Sequence, residues 1–204
     1  MLFIISSPSG AGKSTLCKHL IENFKNLEYS ISVTTRTPRS GETNGVEYYF
    51  HTIKEFEEMK KAKKFIETAK FCENLYGTLN SEISRIELCS KNVLFDIDYN
   101  GKNQIISNKK LDCVTIFILP PSIKILKERL QNRHSESEDI INVRLDKAKE
   151  EMTHAKNYDY VIINENIDIA KNEISVIYQA ENIKRKKVEY LNNSKNFGNL
   201  FDIV

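Results

Sequence analysis

The segment Ser7-Pro8-Ser9-Gly10-Ala11-Gly12-Lys13-Ser14-Thr15 combines residue types suited to holding a chain of phosphates. A glycine-bearing turn gathers several backbone N–H groups around one anion, and a helix that begins just after it adds the positive end of its dipole. Lys13 supplies a point charge for β- and γ-phosphates, and the Ser14 hydroxyl is placed to coordinate Mg²⁺. Gly10 and Gly12 let the backbone come close to the anion. Ser7 stands where the strict phosphate-loop pattern has glycine, so the backbone there must adopt a negative φ. Further along, Asp96 and Asp98 are two apart at the end of an apolar run and therefore face the same side of an extended chain. A carboxylate there, Asp96 above all, suits a Mg²⁺ held through water, as phosphoryl transfer needs.

These groups need a buried strand before the loop and a helix after it. Leu2-Phe3-Ile4-Ile5 is a short continuous apolar run, as in a parallel strand covered on both faces, and Leu16, Leu20 and Ile21 follow at helical spacing. Similar runs recur at Val93-Leu94-Phe95, Val114 to Leu119 and Tyr160 to Ile163, separated by helical spacings such as Ile123, Leu126 and Leu130. The alternation predicts an α/β fold with a parallel sheet. Two stretches break it. Residues from about Ser32 to Glu87 carry turn signals and tyrosines and predict a small insertion of strands with one or two helices. The polar stretch from Gln131 to Asn142 predicts a flap. A long helix is expected from about Ile167 to Leu191, closed by Lys184-Arg185-Lys186-Lys187 at its carboxyl end. The tail beyond it is poor in ordering signals, although Phe197, Leu200, Phe201 and Ile203 are apolar enough to dock on a neighbour.

A chain of 204 residues, 40% hydrophobic, suffices for one sizeable core. Thirty basic and 28 acidic residues leave a net charge of +2, which gives no basis for a nucleic-acid binder held by bulk electrostatics. The apolar N-terminal run is too short for a signal peptide or membrane span, and a cytoplasmic protein is expected. Cys17, Cys72, Cys89 and Cys113 have no metal-ligand spacing and read as reduced structural thiols. Only seven basic residues are arginines, at positions 36, 39, 85, 129, 133, 144 and 185. In a lysine-rich chain those positions stand out, because a guanidinium fork grips phosphate in a way lysine cannot.

With SSPSGAGKST at 6–15, SVTTRTPRSGE at 32–42, GVEYYF at 45–50, FIE at 65–67, LYGT at 75–78, DIDYNG at 96–101 and spaced arginines over 129–144, the chain resembles the guanylate kinases across roughly residues 1–190. The resemblance implies an ATP-binding core (1–31, 91–128 and 147–191), a small α+β GMP-binding insertion (32–90), a helical lid (129–146) and a tail (192–204). It implies Mg²⁺-dependent, reversible transfer of the ATP γ-phosphoryl group to GMP or dGMP. Acceptor contacts carry over onto Ser32, Arg36, Arg39, Tyr48, Glu67, Tyr76, Thr78 and Asp98, and lid arginines onto Arg129, Arg133 and Arg144. Lys13 and Arg36 join those three as the residues expected to promote transfer. Asn164 stands where the family contacts adenine. A monomer or weak homodimer with small-molecule partners only is expected. Thr78 replaces a common serine with its hydroxyl kept, while Asn100 and Leu75 replace a common glutamine and tyrosine.

The residue types suit that acceptor. Guanine presents N1–H and a 2-amino group as adjacent donors, which a carboxylate such as Glu67 accepts together, and hydroxyls of Ser32 or Thr78 donate to O6. Arg36 and Arg39, with the hydroxyls of Tyr48 and Tyr76, suit a nucleotide monophosphate. Arg129 and Arg133 lie four apart on one helical face, with Arg144 beyond the flap. A kinase for AMP, dTMP or a sugar phosphate would require a different acceptor set. A non-catalytic binding domain of the same fold would typically have lost the phosphate loop, whose Gly10, Gly12, Lys13 and Ser14 are all present here.

Overall fold

A computed structural model of the chain describes residues 1–71, 73–107, 111–132 and 138–192. Cys72, Arg133 and the apolar tail residues Phe197, Leu200, Phe201 and Ile203 lie outside the described residues.

The N-terminal apolar run forms β1 (Leu2–Ser6), followed by α1 (Lys13–Asn23), β2 (Leu27–Tyr29), β7 (Asn92–Asp96), β8 (Cys113–Leu119) and β9 (Tyr160–Ile163) in one sheet ordered β2-β7-β1-β8-β9. Every pair in it is parallel. Alternate residues of β1 serve opposite faces. Phe3 and Ile5 pack with Leu16, Cys17 and Leu20 of α1 and with Ile174 and Tyr178 of α7 (Ile167–Asn192). Leu2 and Ile4 pack on the other side with Ile83 and Ile86 of α3 (Asn80–Leu88) and Ile105 of α4 (Tyr99–Ile106). Helices on both faces explain why β1 lacks polar alternation.

β9 departs from that expectation. Its apolar sequence predicts a strand covered on both faces, yet Val161 and Ile163 are exposed. Ile162 is buried in the core with Tyr160 packed against it, because β9 is the last strand in the sheet and α7 covers one side of it.

Between β2 and β7 the chain leaves the main sheet to build a second one. Its strands are β3 (Val33–Thr34), β4 (Tyr49–Phe50), β5 (Phe65–Phe71) and β6 (Asn74–Leu79), ordered β4-β3-β6-β5. Helix α2 (Ile53–Lys61) joins β4 to β5. Thr52 and Glu55 cap it reciprocally, and its one buried residue, Phe56, stacks on Phe65. α3 carries the chain back, with its buried isoleucines on the main sheet. Beyond β8, α5 (Ile123–Gln131) and α6 (Glu138–Met152) pack on each other through Leu126, Leu130, Ile141 and Leu145. Of the flap expected over Gln131–Asn142, Gln131 ends α5 and residues 138–142 begin α6, while residues 133–137 lie outside the described residues. Among the described residues no helix is long and apolar enough to cross a membrane.

Candidate functional site

The phosphate-loop segment joins the carboxyl end of β1 to α1. That is where parallel sheets place ligands, because flanking connections diverge there and open a crevice. Gly10 and Gly12 have φ of +92° and +101°, a region open to glycine and strained for other residues. Gly12 is also the N-cap of α1, and a Cβ on it would land on the side-chain amide of Asn164. Asn164, at the end of β9 and buried, donates from Nδ2 to the Ala11 carbonyl oxygen at 2.7 Å, so it braces the loop from outside. Gly12→Ala is therefore expected to displace Asn164 and lower kcat/KM for ATP by tenfold or more, a backbone penalty of about 1–2 kcal/mol adding to the clash. Steady-state kinetics with varied ATP check this.

Lys13 forms an ion pair with Asp96, the last residue of β7. Burial pulls the Lys13 ammonium down, but the Asp96 carboxylate outweighs it and the net shift is upward. Tyr29 donates its hydroxyl to the other Asp96 oxygen at 3.0 Å, and burial with neighbouring negative charge drives that phenol far upward. Cys17 lies beneath the loop. Burial and Asp96 push its thiol up to about 12, so it is inert there. The loop residues Ser7–Gly10 and Gly12–Ser14 line a cavity of about 350 Å³ with Phe71, Asp96, Asp98, Arg144, Lys147 and Glu151. Burial raises the Glu151 carboxyl, and Lys147 stands beside it at 3.8 Å. Thr15 lies exposed in the first turn of α1.

A second cavity, of about 310 Å³, opens beside the first and shares Phe71, Asp96 and Asp98 with it. Ser32, Tyr48, Glu67 and Tyr76 form much of its wall. Glu67 is only 4% exposed, and Thr78, opposite it across β5 and β6, donates a 2.7 Å hydrogen bond to its Oε1. The Thr78 hydroxyl is thus committed to Glu67 in this structure. Burial pushes Glu67 up to about 7, the Thr78 bond opposing and the Asp98 charge adding to it. Gly101, in the first turn of α4, admits Glu67 to this position, since a Cβ there would stand 3.0 Å from Oε2. Asp98 caps α4, accepting from Gly101 N at 2.8 Å, while keeping a face to both cavities.

The arginines divide. Arg144 reaches the phosphate-loop cavity. Arg129 donates to the Asn164 carbonyl oxygen at 2.9 Å, which ties α5 to the brace on the loop. Arg36 lies 5.3 Å from the centre of the Tyr48 ring and is paired with Glu42 at 2.8 Å. Arg39 donates its backbone N–H to the other Glu42 oxygen. Glu42 and Tyr29 escaped the sequence reading. Their functional character arises from partners 6 and 67 residues away, and although Glu42 closes the quoted segment 32–42, residue type alone gives neither it nor Tyr29 a role. Ser14 and Asp96 offer hard oxygen donors, and among the described residues no cluster of three His, Cys, Asp or Glu could hold a metal by itself. Such a donor set fits Mg²⁺, which keeps waters and leans on substrate phosphates, better than it fits a caged resident ion.

The family model for guanylate kinase matches residues 1–181. The chain belongs to the guanylate kinase family. It is 47% identical over 190 residues to a guanylate kinase of Bartonella henselae, covering 93% of this chain and 85% of that one. It is also 47% identical to a guanylate kinase of Rickettsia felis over 184 residues, 90% of this chain and 95% of the relative. The crystal structure of guanylate kinase from Anaplasma phagocytophilum superimposes with a TM-score of 0.69 at 32% identity, covering 89% of this chain and 85% of that one. Here a parallel main sheet stands beside a small mixed one, and residues of both sheets line the two cavities.

Proposed function

We propose that the chain transfers the γ-phosphoryl group of ATP to GMP, with the donor in the phosphate-loop cavity and the acceptor in the cavity walled by Glu67. The observation that carries this assignment is that the two cavities share Phe71, Asp96 and Asp98, so they adjoin and their contents can meet. The GMP phosphate is itself a nucleophile at neutral pH, so no covalent intermediate and no dedicated base are needed. Catalysis then consists of alignment and charge stabilisation by the loop N–H groups, Lys13 and the arginines at 129, 133 and 144. Ser14, and Asp96 through water, would hold Mg²⁺, which when bound with ATP spreads the charge of the phosphates.

Acceptor recognition is assigned to Ser32, Arg36, Arg39, Tyr48, Glu67, Tyr76, Thr78 and Asp98 within and beside the insertion of residues 32–90. Closure over the phosphates is assigned to the lid, 129–146, which would exclude water and suppress hydrolysis of ATP. Asn164 supports the loop and borders the expected adenine position. Arg36 is held by Glu42 when the acceptor is not bound, and exchange of that carboxylate for a phosphate would keep the guanidinium paired throughout. We place the protein in the cytoplasm as a monomer or weak homodimer acting on small molecules.

The test compares GMP, dGMP, AMP, dTMP and a sugar phosphate as acceptors at fixed ATP and Mg²⁺. GMP is expected to exceed AMP by about 10⁴-fold in kcat/KM, because adenine leaves a buried acceptor facing its own unprotonated N1. Little turnover of GMP would overturn the assignment.

A further inference from the structure

The chain crosses from the main sheet to the second one between β2 and β3, at Ser30-Ile31-Ser32, and returns at Leu79-Asn80 to begin α3. In the first turn of α3 a carboxylate, Glu82, is 3% exposed and saturated with donors. Its Oε2 accepts from Ile31 N–H at 3.0 Å and from Arg85 Nη2 at 3.1 Å. Its Oε1 accepts from the Tyr49 hydroxyl at 3.0 Å and from Arg85 Nε at 3.0 Å. Arg85 reaches on to Glu28 of β2, which also pairs with Lys91 at 2.7 Å. Burial opposes ionisation of Glu82, but Arg85, the Ile31 N–H and Tyr49 together hold its carboxyl below the usual range. One ionised side chain of a helix packed on the main sheet thus grips the outgoing crossing and β4 at once.

The residues it grips are immediate neighbours of two that wall the acceptor cavity. Ile31 precedes Ser32 and Tyr49 follows Tyr48, and both Ser32 and Tyr48 line that cavity. Glu82 holds the Ile31 peptide N–H and the Tyr49 hydroxyl, each one residue from a cavity-lining residue, so it restrains the backbone from which Ser32 and Tyr48 project. The two segments are also joined directly, since Tyr49 N donates to the Ser32 carbonyl oxygen at 2.9 Å. We propose that Glu82 is a positioning residue for the acceptor: by holding Ile31 and Tyr49 from behind, it sets Ser32 and Tyr48 against GMP. The proposal rests on the assignment of GMP to that cavity.

Three proteins test it: Glu82→Gln, Tyr49→Phe and the double variant, each first checked by circular dichroism and thermal melting. Glu82→Gln keeps the shape of the side chain, and Arg85 retains Glu28, so the fold is expected to persist. The expected result is a rise in KM for GMP of about tenfold for Glu82→Gln and about threefold for Tyr49→Phe, as for a charge-assisted and a single hydrogen bond. KM for ATP and kcat should stay within about twofold. The double variant should be no worse than Glu82→Gln alone, because both remove the same link. A purely structural role would lower the melting temperature without separating the two KM values. An unchanged KM for GMP in both single variants, or equal rises for GMP and ATP, would overturn the proposal. Failure of the unaltered protein to phosphorylate GMP would instead overturn the assignment beneath it.

Discussion

Lys13→Met should abolish measurable phosphoryl transfer, with kcat falling on the order of 10³-fold or more, while the affinity for GMP stays within about twofold. The asymmetry follows from position. Lys13 lies in the loop cavity and meets the acceptor cavity through its ion pair with the shared residue Asp96, so its loss chiefly removes positive charge from the donor phosphates. Asp96 then loses its ion-pair partner but keeps the Tyr29 hydroxyl, which limits the damage to folding. Calorimetric titration with GMP, beside a coupled assay of ADP release, separates the two effects. A parallel loss of GMP affinity would show that Lys13 acts through the fold instead.

Glu67→Gln is the second large effect. A carboxylate accepts from both guanine donors, whereas a glutamine amide must present its own N–H₂ toward one of them. The amide suits adenine better, accepting from N6 and donating to N1. The ratio of kcat/KM for GMP to that for AMP should fall by about 10³-fold, and an unchanged ratio would sink the base-recognition argument. A pH dependence accompanies it. With Glu67 near pH 7 in the free protein, the ionised form that guanine needs is depleted below that pH. KM for GMP should rise as pH falls from 7 toward 5, more steeply than in Glu67→Gln, which retains only the titration of the substrate phosphate.

The same shift has a consequence for stability. Glu67 binds its proton more tightly folded than unfolded, so between the ordinary carboxylate pKa and about 7 the free protein loses stability as pH rises. The full penalty, about 3 kcal/mol from the size of the shift, is present above pH 7. Glu67→Gln should therefore melt higher than the unaltered protein at pH 8 and close to it at pH 5.

Much of the architecture is legible from residue pattern. Continuous apolar runs mark β1, β7 and β8 because both faces of those strands are covered, and loop, lysine and helix signals fix where α1 begins. The run at Tyr160–Ile163 marks a strand equally well but not its place, since hydrophobicity reports burial within a neighbourhood and not the order of strands. β2 carries Glu28 in three residues and gives no such signal, and its role emerges only through Arg85 and Lys91. For the candidate site, residue types and spacing named Lys13 and Asp98, and the resemblance to the guanylate kinases named Glu67, without giving their mutual distances. The partners that define their states, Tyr29 for Asp96 and Glu42 for Arg36, come from register and loop closure.

The brace between Asn164 and the Ala11 carbonyl spans 153 positions of sequence. The loop follows the first strand of the main sheet, yet the residue that braces it comes directly after the last strand, β9. Closing so long a loop is slow and comes late. A nascent chain halted before β9 would thus hold every residue of the phosphate motif while lacking the means to keep it in shape, and nucleotide grip would arrive as one of the closing events of folding.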